Sequence, residues 1–213
     1  MKQLIIFDLD GTLNQTELYS VEVHRMVQTE FGWPALSPEA IIATFGAPAS
    51  EYMSTLLPGS DEETQLAYKR RVAEVEHDYM HLARSYPGCQ ELMNQLHQRG
   101  YLTAVCSNSS HRYISMVLTA IGLMDKIDYI QPLETDCKDK AESLKRLLEK
   151  VNPQRAAMVG DTMYDCQAAR SNHIPFIGCR YGFRPSEMEA VNITVSQPLE
   201  VVYLLDDLFS KPQ

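Results

Sequence analysis

The stretch Ile5-Ile6-Phe7-Asp8-Leu9-Asp10-Gly11-Thr12-Leu13 constrains this chain more than any other. Its apolar half reads as a strand of the kind buried on both faces, and such strands belong to parallel sheets covered by helices. It ends in two carboxylates and a glycine. Carboxylates at the end of a buried strand would be desolvated without a partner, so something positive has to sit between them. In an open α/β sheet the carboxyl ends of the strands border the ligand crevice, which points Asp8 and Asp10 toward chemistry. A divalent cation is the natural partner for two such acids.

The rest of the chain alternates only after a long helical interval. Thr16 to Phe31 carries Leu18, Val21, Val27 and Phe31 at helical spacing and is stopped by Gly32. Ser37-Pro38 opens a short helix, a second runs from about Ala49 to Leu57, and Ser60-Asp61-Glu62-Glu63 spells a capping box ahead of a long helix ending near Arg84. From Tyr86-Pro87-Gly88 onward the pattern becomes helix Gln90 to Arg99, strand Leu102 to Ser107, helix His111 to Ile121, strand Tyr129 to Gln131, helix Lys140 to Lys150, and strands Ala156 to Val159 and Phe176 to Cys179. Alternating β and α units predict a Rossmann-like parallel sheet with helices on both faces. The chain is therefore expected to divide into an α/β core of residues 1–13 and 86–213 and an all-helical cap inserted as residues 14–85.

With 213 residues the chain is long enough to bury a sizeable core. Its net charge of −9 and the lack of any Lys or Arg stripe argue against nucleic acid or an anionic membrane as partner. The N-terminus enters a strand without the zones of a signal peptide, and no stretch reaches membrane-spanning length, so a cytoplasmic protein is expected. The five cysteines are an odd number without C-x-x-C spacing, which fits reduced thiols; Cys106, Cys166 and Cys179 read as small packing residues. Pattern alone leaves monomer and homodimer equally open.

Three further segments place polar groups where strands end. Gly160-Asp161-Thr162-Met163-Tyr164-Asp165 follows the apolar run Ala156 to Val159 and repeats the device of acids at a strand end. Its plainer reading is a helix cap with an acid in the first turn. Ser107-Asn108 ends another strand just before a helix, where a hydroxyl and backbone N–H groups make an anion site, although most serines in such turns merely cap. Lys140 opens the helix Lys140-Ala141-Glu142-Ser143-Leu144, a place slightly unfavourable for a cation, and Lys138 stands two residues before it. His77 and His81 lie four apart on the long helix, but without an H-E-x-x-H string they read as a wet face rather than a metal pair. Gly46-Ala47-Pro48 and Tyr181-Gly182-Phe183-Arg184 fit either plain connections or walls of a crevice.

Taken together, D-x-D-G-T-L at Asp8 to Leu13, Ser107, Lys140 and G-D-x-x-x-D at Gly160 to Asp165 resemble, in order, the four motifs of the haloacid dehalogenase superfamily, with a helical insertion after the first. The nearest look-alikes are phosphoglycolate-phosphatase-like enzymes. The resemblance implies Mg²⁺ held by Asp8, the carbonyl of Asp10 and Asp161, with Asp165 as a further ligand, direct or through water. It also implies Asp8 as nucleophile, Asp10 as general acid and base, Lys140 as the neutralising lysine with Lys138 as rival, and Ser107 with backbone amides around Gly11, Thr12 and Asn108 as the phosphoryl cradle. The substrate implied is a small phosphorylated metabolite, phosphoglycolate-like or a sugar phosphate, hydrolysed through an aspartyl-phosphate. A β-phosphoglucomutase-like phosphotransferase and a catalytically inactive phosphate-binding regulatory protein are the alternatives.

Overall fold

The computed structural model of the chain describes residues 2–133 and 136–210, so the outermost ends of the expected core range lie outside the described residues. Six parallel strands, β1 (Gln3–Phe7), β2 (Leu102–Ser107), β3 (Tyr129–Pro132), β4 (Arg155–Gly160), β5 (Phe176–Cys179) and β6 (Thr194–Val195), form one sheet in the order β3-β2-β1-β4-β5-β6. The two-residue β6 and the helix α9 (Glu200–Ser210) extend this sheet and its cover beyond the last strand that the sequence pattern announces.

Alternation along β1 explains why the sheet is covered twice. Ile5 and Phe7 project into one apolar cluster, shared with α5 (Cys89–Gln98), α6 (His111–Ala120) and α9. Leu4 and Ile6 project into the other, under α7 (Lys140–Val151) and α8 (Met163–Ser171). Successive side chains of a strand must face opposite sides, so a continuous apolar run needs two covers. Register brings the functional ends level: Phe7 pairs with Val105 on one side and Val159 on the other, and Asp8 continues the ladder with its N–H donating to Val159 O at 2.9 Å.

Between β1 and β2 run α1 (Glu17–Glu30), α2 (Pro38–Ile42), α3 (Ala49–Leu56) and α4 (Glu62–Tyr79), followed by a 3₁₀ turn over Met80–Leu82. They enclose a third apolar cluster of their own, including Val23, Val27, Ile41, Met53, Leu57, Tyr68 and Val72. The cap of α4 differs from the expected box. Asp61, not Ser60, accepts from Thr64 N at 2.8 Å, while Ser60 Oγ is spent on Leu57 O. Either residue can cap, and the turn at Pro58-Gly59 decides which one meets the free N–H groups. The chain leaves and re-enters the sheet through two hydrogen-bonded passages: Gln15 N donates to Arg84 O and Tyr86 N to Leu13 O, around an Asn14–Ser85 bridge. The five cysteines are free, and four of them are buried.

Candidate active site

Two strand ends and two helix starts meet at the carboxyl edge of the sheet. Asp8 follows β1, Asp161 follows β4 and Asp165 lies in the first turn of α8; one oxygen from each falls within 4.8 Å of the others, and all three are buried. Lys140, at the start of α7, reaches across from the next connection: its Nζ stands 2.5 Å from Asp8 Oδ1 and 2.5 Å from Asp165 Oδ1. Lys140 is the sole partner of Asp165 Oδ1 among the described residues. Lys138 is exposed, its N–H turned to Glu142, and does not reach the acids.

The charges do not balance. Three buried carboxylates face one ammonium, and burial, reinforced by Asp165 and Asp10, pushes the Asp8 carboxyl up to about 7 against the pull of Lys140. Asp161 is raised well above the usual carboxylate range by burial and by Asp8 and Asp165. Lys140 would be lowered by its own burial, but the two carboxylates beside it win and hold it protonated.

Each acid is oriented by specific donors. Asp161 accepts from Phe183 N at 2.8 Å and from Thr12 Oγ1 at 3.2 Å. Asp165 Oδ2 accepts from Thr162 N and Oγ1 in a capping box, so it caps its helix and joins the acid cluster at once. Asp10 Oδ1 takes three donors, Thr16 Oγ1 at 2.6 Å, Tyr113 Oη at 3.0 Å and Asn14 Nδ2 at 3.2 Å, while Oδ2 takes none among the described residues. Burial raises Asp10 as well, partly offset by those donors.

A cavity of about 420 Å³ opens beside this edge. Asp8, Asp10, Ser107 and Asn108 line it from the sheet, and Ser20, His24, Tyr52 and Glu76 from the helical segment. Lys140, Asp161, Asp165, Gly11 and Thr12 do not line it; the Thr12 hydroxyl is turned to Asp161. Ser107 Oγ accepts from Ser109 N at 3.2 Å, and Asn108 Nδ2 donates to Gly46 O at 3.1 Å, tying the strand end to the loop between α2 and α3.

Of the two segments that sequence left open, the first is a wall of the cavity and the second packs behind the acids. Gly46 and Ala47 line the cavity. Tyr181 donates to Thr12 O, Phe183 packs edge-on against Phe45 with centroids 5.2 Å apart, and Arg184 Nη2 donates to Ala43 O at 2.8 Å. A Cβ at Gly182 would fall 2.3 Å from Asp161 Cβ, and one at Gly11 (φ +85°) 2.4 Å from Asp161 Oδ2, so both positions must be bare for Asp161 to sit where it does. His77 and His81 do not converge: one meets Met116 Sδ and the other Asp78 O, both on the exposed face of the helical segment. Thr16, Tyr113, Glu76 and Phe183 carry no motif, and only their packing around Asp10, Asp161 and the cavity marks them.

A parallel sheet with buried acids and a lysine converging at its carboxyl edge defines a hydrolase of the α/β class with an inserted helical segment. The chain belongs to the haloacid dehalogenase-like hydrolase family, whose model matches residues 5–179. It is similar to the probable phosphatase IndB of Dickeya dadantii, at 27% identity over all of this chain and 98% of that one. It is also similar to the phosphoglycolate phosphatase of Vibrio parahaemolyticus, at 29% identity over 94% of this chain and 96% of that one. Among solved structures, a haloacid dehalogenase-like family protein from Streptococcus pneumoniae superposes with a TM-score of 0.84 at 19% identity, covering 96% of this chain and 98% of that one. Among the described residues no helix is long and apolar enough to cross a membrane.

Proposed function

We propose that the chain is a Mg²⁺-dependent phosphatase that hydrolyses a small phosphorylated metabolite through an aspartyl-phosphate on Asp8. The observation that carries this is Asp8 itself: a buried carboxylate that lines a cavity on one side and on the other is paired with Lys140 and gathered within 4.8 Å of oxygens of Asp161 and Asp165. The relatives named phosphatases, several of them phosphoglycolate phosphatases, support the reaction class.

The residues fit a hard divalent cation. The donor set is all oxygen, and with its three acids ionised it carries a charge of −2 after Lys140 is counted. Mg²⁺ held by Asp8, Asp161 and Asp165 would neutralise that excess and polarise the phosphoryl oxygens. Lys140 favours the ionised form of Asp8 and orients it, so one of its oxygens can attack phosphorus in line, with Ser107 and the neighbouring amides binding the equatorial oxygens. Asp10 lines the same cavity and holds its proton on Oδ2, the oxygen left free by Thr16, Tyr113 and Asn14; it donates to the leaving oxygen and later takes the proton of the attacking water. The segment 14–85 acts in this reading as a cap over the core, moving about the paired passages at Leu13–Gln15 and Arg84–Tyr86 and excluding water when closed.

A panel of phosphate monoesters assayed with Mg²⁺ and with excess chelator tests the proposal. Release of inorganic phosphate that requires the metal and is lost in Asp8→Asn is the expected result. Turnover in excess chelator would remove the metal from the reaction, and phosphoryl transfer within one sugar without net phosphate release would make the protein a mutase.

A further inference from the structure

The helical wall of the cavity sets a few polar groups, Ser20, His24, Thr44, Tyr52 and Glu76, among the apolar Phe45, Ala47, Val72 and Ala73. Glu76 is 6% exposed and has no cation within ion-pair distance among the described residues; its only hydrogen bond comes from Ser20 Oγ, at 2.7 Å, to Oε1. Oε2 receives nothing from the described residues. Ser20 has therefore spent its one hydrogen on Glu76, and Thr44 Oγ1 has spent its own on Ile41 O at 2.7 Å, which leaves both hydroxyls as acceptors. His24 is held neutral, down to about 3, by burial. Its Nδ1 meets Tyr68 Oη at 2.8 Å and its Nε2 meets Tyr52 Oη at 2.9 Å. Both ring nitrogens of His24 are thus occupied by tyrosine hydroxyls and are not offered to the cavity.

The place of this wall matters as much as its polarity. Asp10 lines the same cavity, and Glu76 and Asp10 lie close enough for each to feel the other's charge. If Asp10 protonates the leaving oxygen, the remainder of the leaving group extends into the cavity that Glu76 also lines. The only Lys or Arg among the lining residues is Lys69, which is exposed.

We propose that Glu76 and Ser20, with Thr44 and Tyr52, form the leaving-group subsite and select phosphate monoesters whose leaving group carries hydroxyl groups and no carboxylate. This rests on the phosphatase reading above. A hydroxyl of a sugar or polyol donates to Glu76 Oε2 and to the spent hydroxyls, supplying the bonds that this buried acid lacks. A leaving group with its own carboxylate, such as glycolate, meets like charge where no cation compensates it, and Lys69 can draw it only toward solvent.

The test uses the full chain with Mg²⁺ at pH 8 and compares glycerol phosphate and sugar phosphates, 2-phosphoglycolate, and p-nitrophenyl phosphate, whose leaving group offers no hydrogen-bond donor. The best hydroxylated ester should exceed 2-phosphoglycolate in kcat/KM by about tenfold or more, since a site built to bind hydroxyls discriminates strongly. Glu76→Gln should lower kcat/KM for that ester by about tenfold, raise it for 2-phosphoglycolate, and leave p-nitrophenyl phosphate within about threefold. Ser20→Ala should move the same ratios in the same direction and serves if Glu76→Gln does not fold. A preference for 2-phosphoglycolate over every hydroxylated ester would overturn the subsite alone. An equal loss on all esters in Glu76→Gln and Ser20→Ala would make Glu76 structural and also overturn it. Failure to turn over any ester, p-nitrophenyl phosphate included, would overturn the phosphatase reading and the subsite with it.

Discussion

Replacing Glu76 by Gln should stabilise the fold, and only at higher pH. Burial, with Asp10 adding to it and Ser20 opposing, raises the Glu76 carboxyl from 4.5 to about 7. Between those values the folded chain holds a proton that the unfolded chain has released, so unfolding releases it and stability falls as pH rises through the window. Below 4.5 both states are protonated and the penalty vanishes. Above about 7 it is complete, and at 1.36 kcal/mol per pH unit it comes to about 3 kcal/mol. Gln keeps the hydrogen bond from Ser20 Oγ and removes the charge, but its amide must also be buried, so a gain of about 1–3 kcal/mol at pH 8 is expected. For a chain of this size that is roughly 3–8 °C in Tm. Thermal melts of both proteins at pH 5 and pH 8 in excess chelator measure it. The comparison has to be the difference between the two proteins, because His24, held neutral by burial, loses stability in the opposite direction as pH falls, and the buried acids at Asp8 and Asp161 titrate in both. A Tm difference that is the same at both pH values, or a variant less stable than wild type at pH 8, would show that Glu76 is not an uncompensated buried charge.

Asp8→Asn should leave the fold intact and reduce turnover to below about a hundredth of wild type, read by phosphate release; greater residual activity would exclude Asp8 as nucleophile. Lys140→Ala should lose activity and, by leaving Asp8 and Asp165 unpaired in a buried site, lower stability in denaturant by about 3 kcal/mol at pH 8, whereas Lys138→Ala should do neither. The reverse outcome would move the role two residues upstream. Gly182→Ala places a methyl 2.3 Å from Asp161 Cβ and should raise the Mg²⁺ concentration needed for half-maximal activity. An increase of about tenfold is expected from displacing one ligand, and an unchanged metal requirement would show that Asp161 is not a ligand.

Local pattern determined much of this protein. The doubly buried β1, the strands at Leu102–Ser107 and Phe176–Cys179, and the helix start at Lys140 follow from apolar runs and turn residues acting over a few positions, and the acids after β1 and β4 stand out because polar groups at buried strand ends are costly without a purpose. The helical interval from Glu17 to Tyr79 was legible for the same reason, since it lacks the alternation of strands. The short β6 carries too few residues to announce itself, and its pairing with β5 is made by the sheet. Whether Ser60 or Asp61 caps α4 depends on how the preceding turn aims the chain, which composition does not encode.

Tertiary structure alone decided which residues meet. Lys138 and Lys140 are alike as letters, but only Lys140 is buried against Asp8 and Asp165. Tyr113 bonds to Asp10 from 103 positions away and Phe183 to Asp161 from 22, and Ser20 finds Glu76 across 56. None of these pairings has a local periodicity, because a hydrogen bond between distant segments is fixed by the packing of the sheet and the helical insertion rather than by neighbouring residues. The polarity of the cavity wall is likewise a property of that packing.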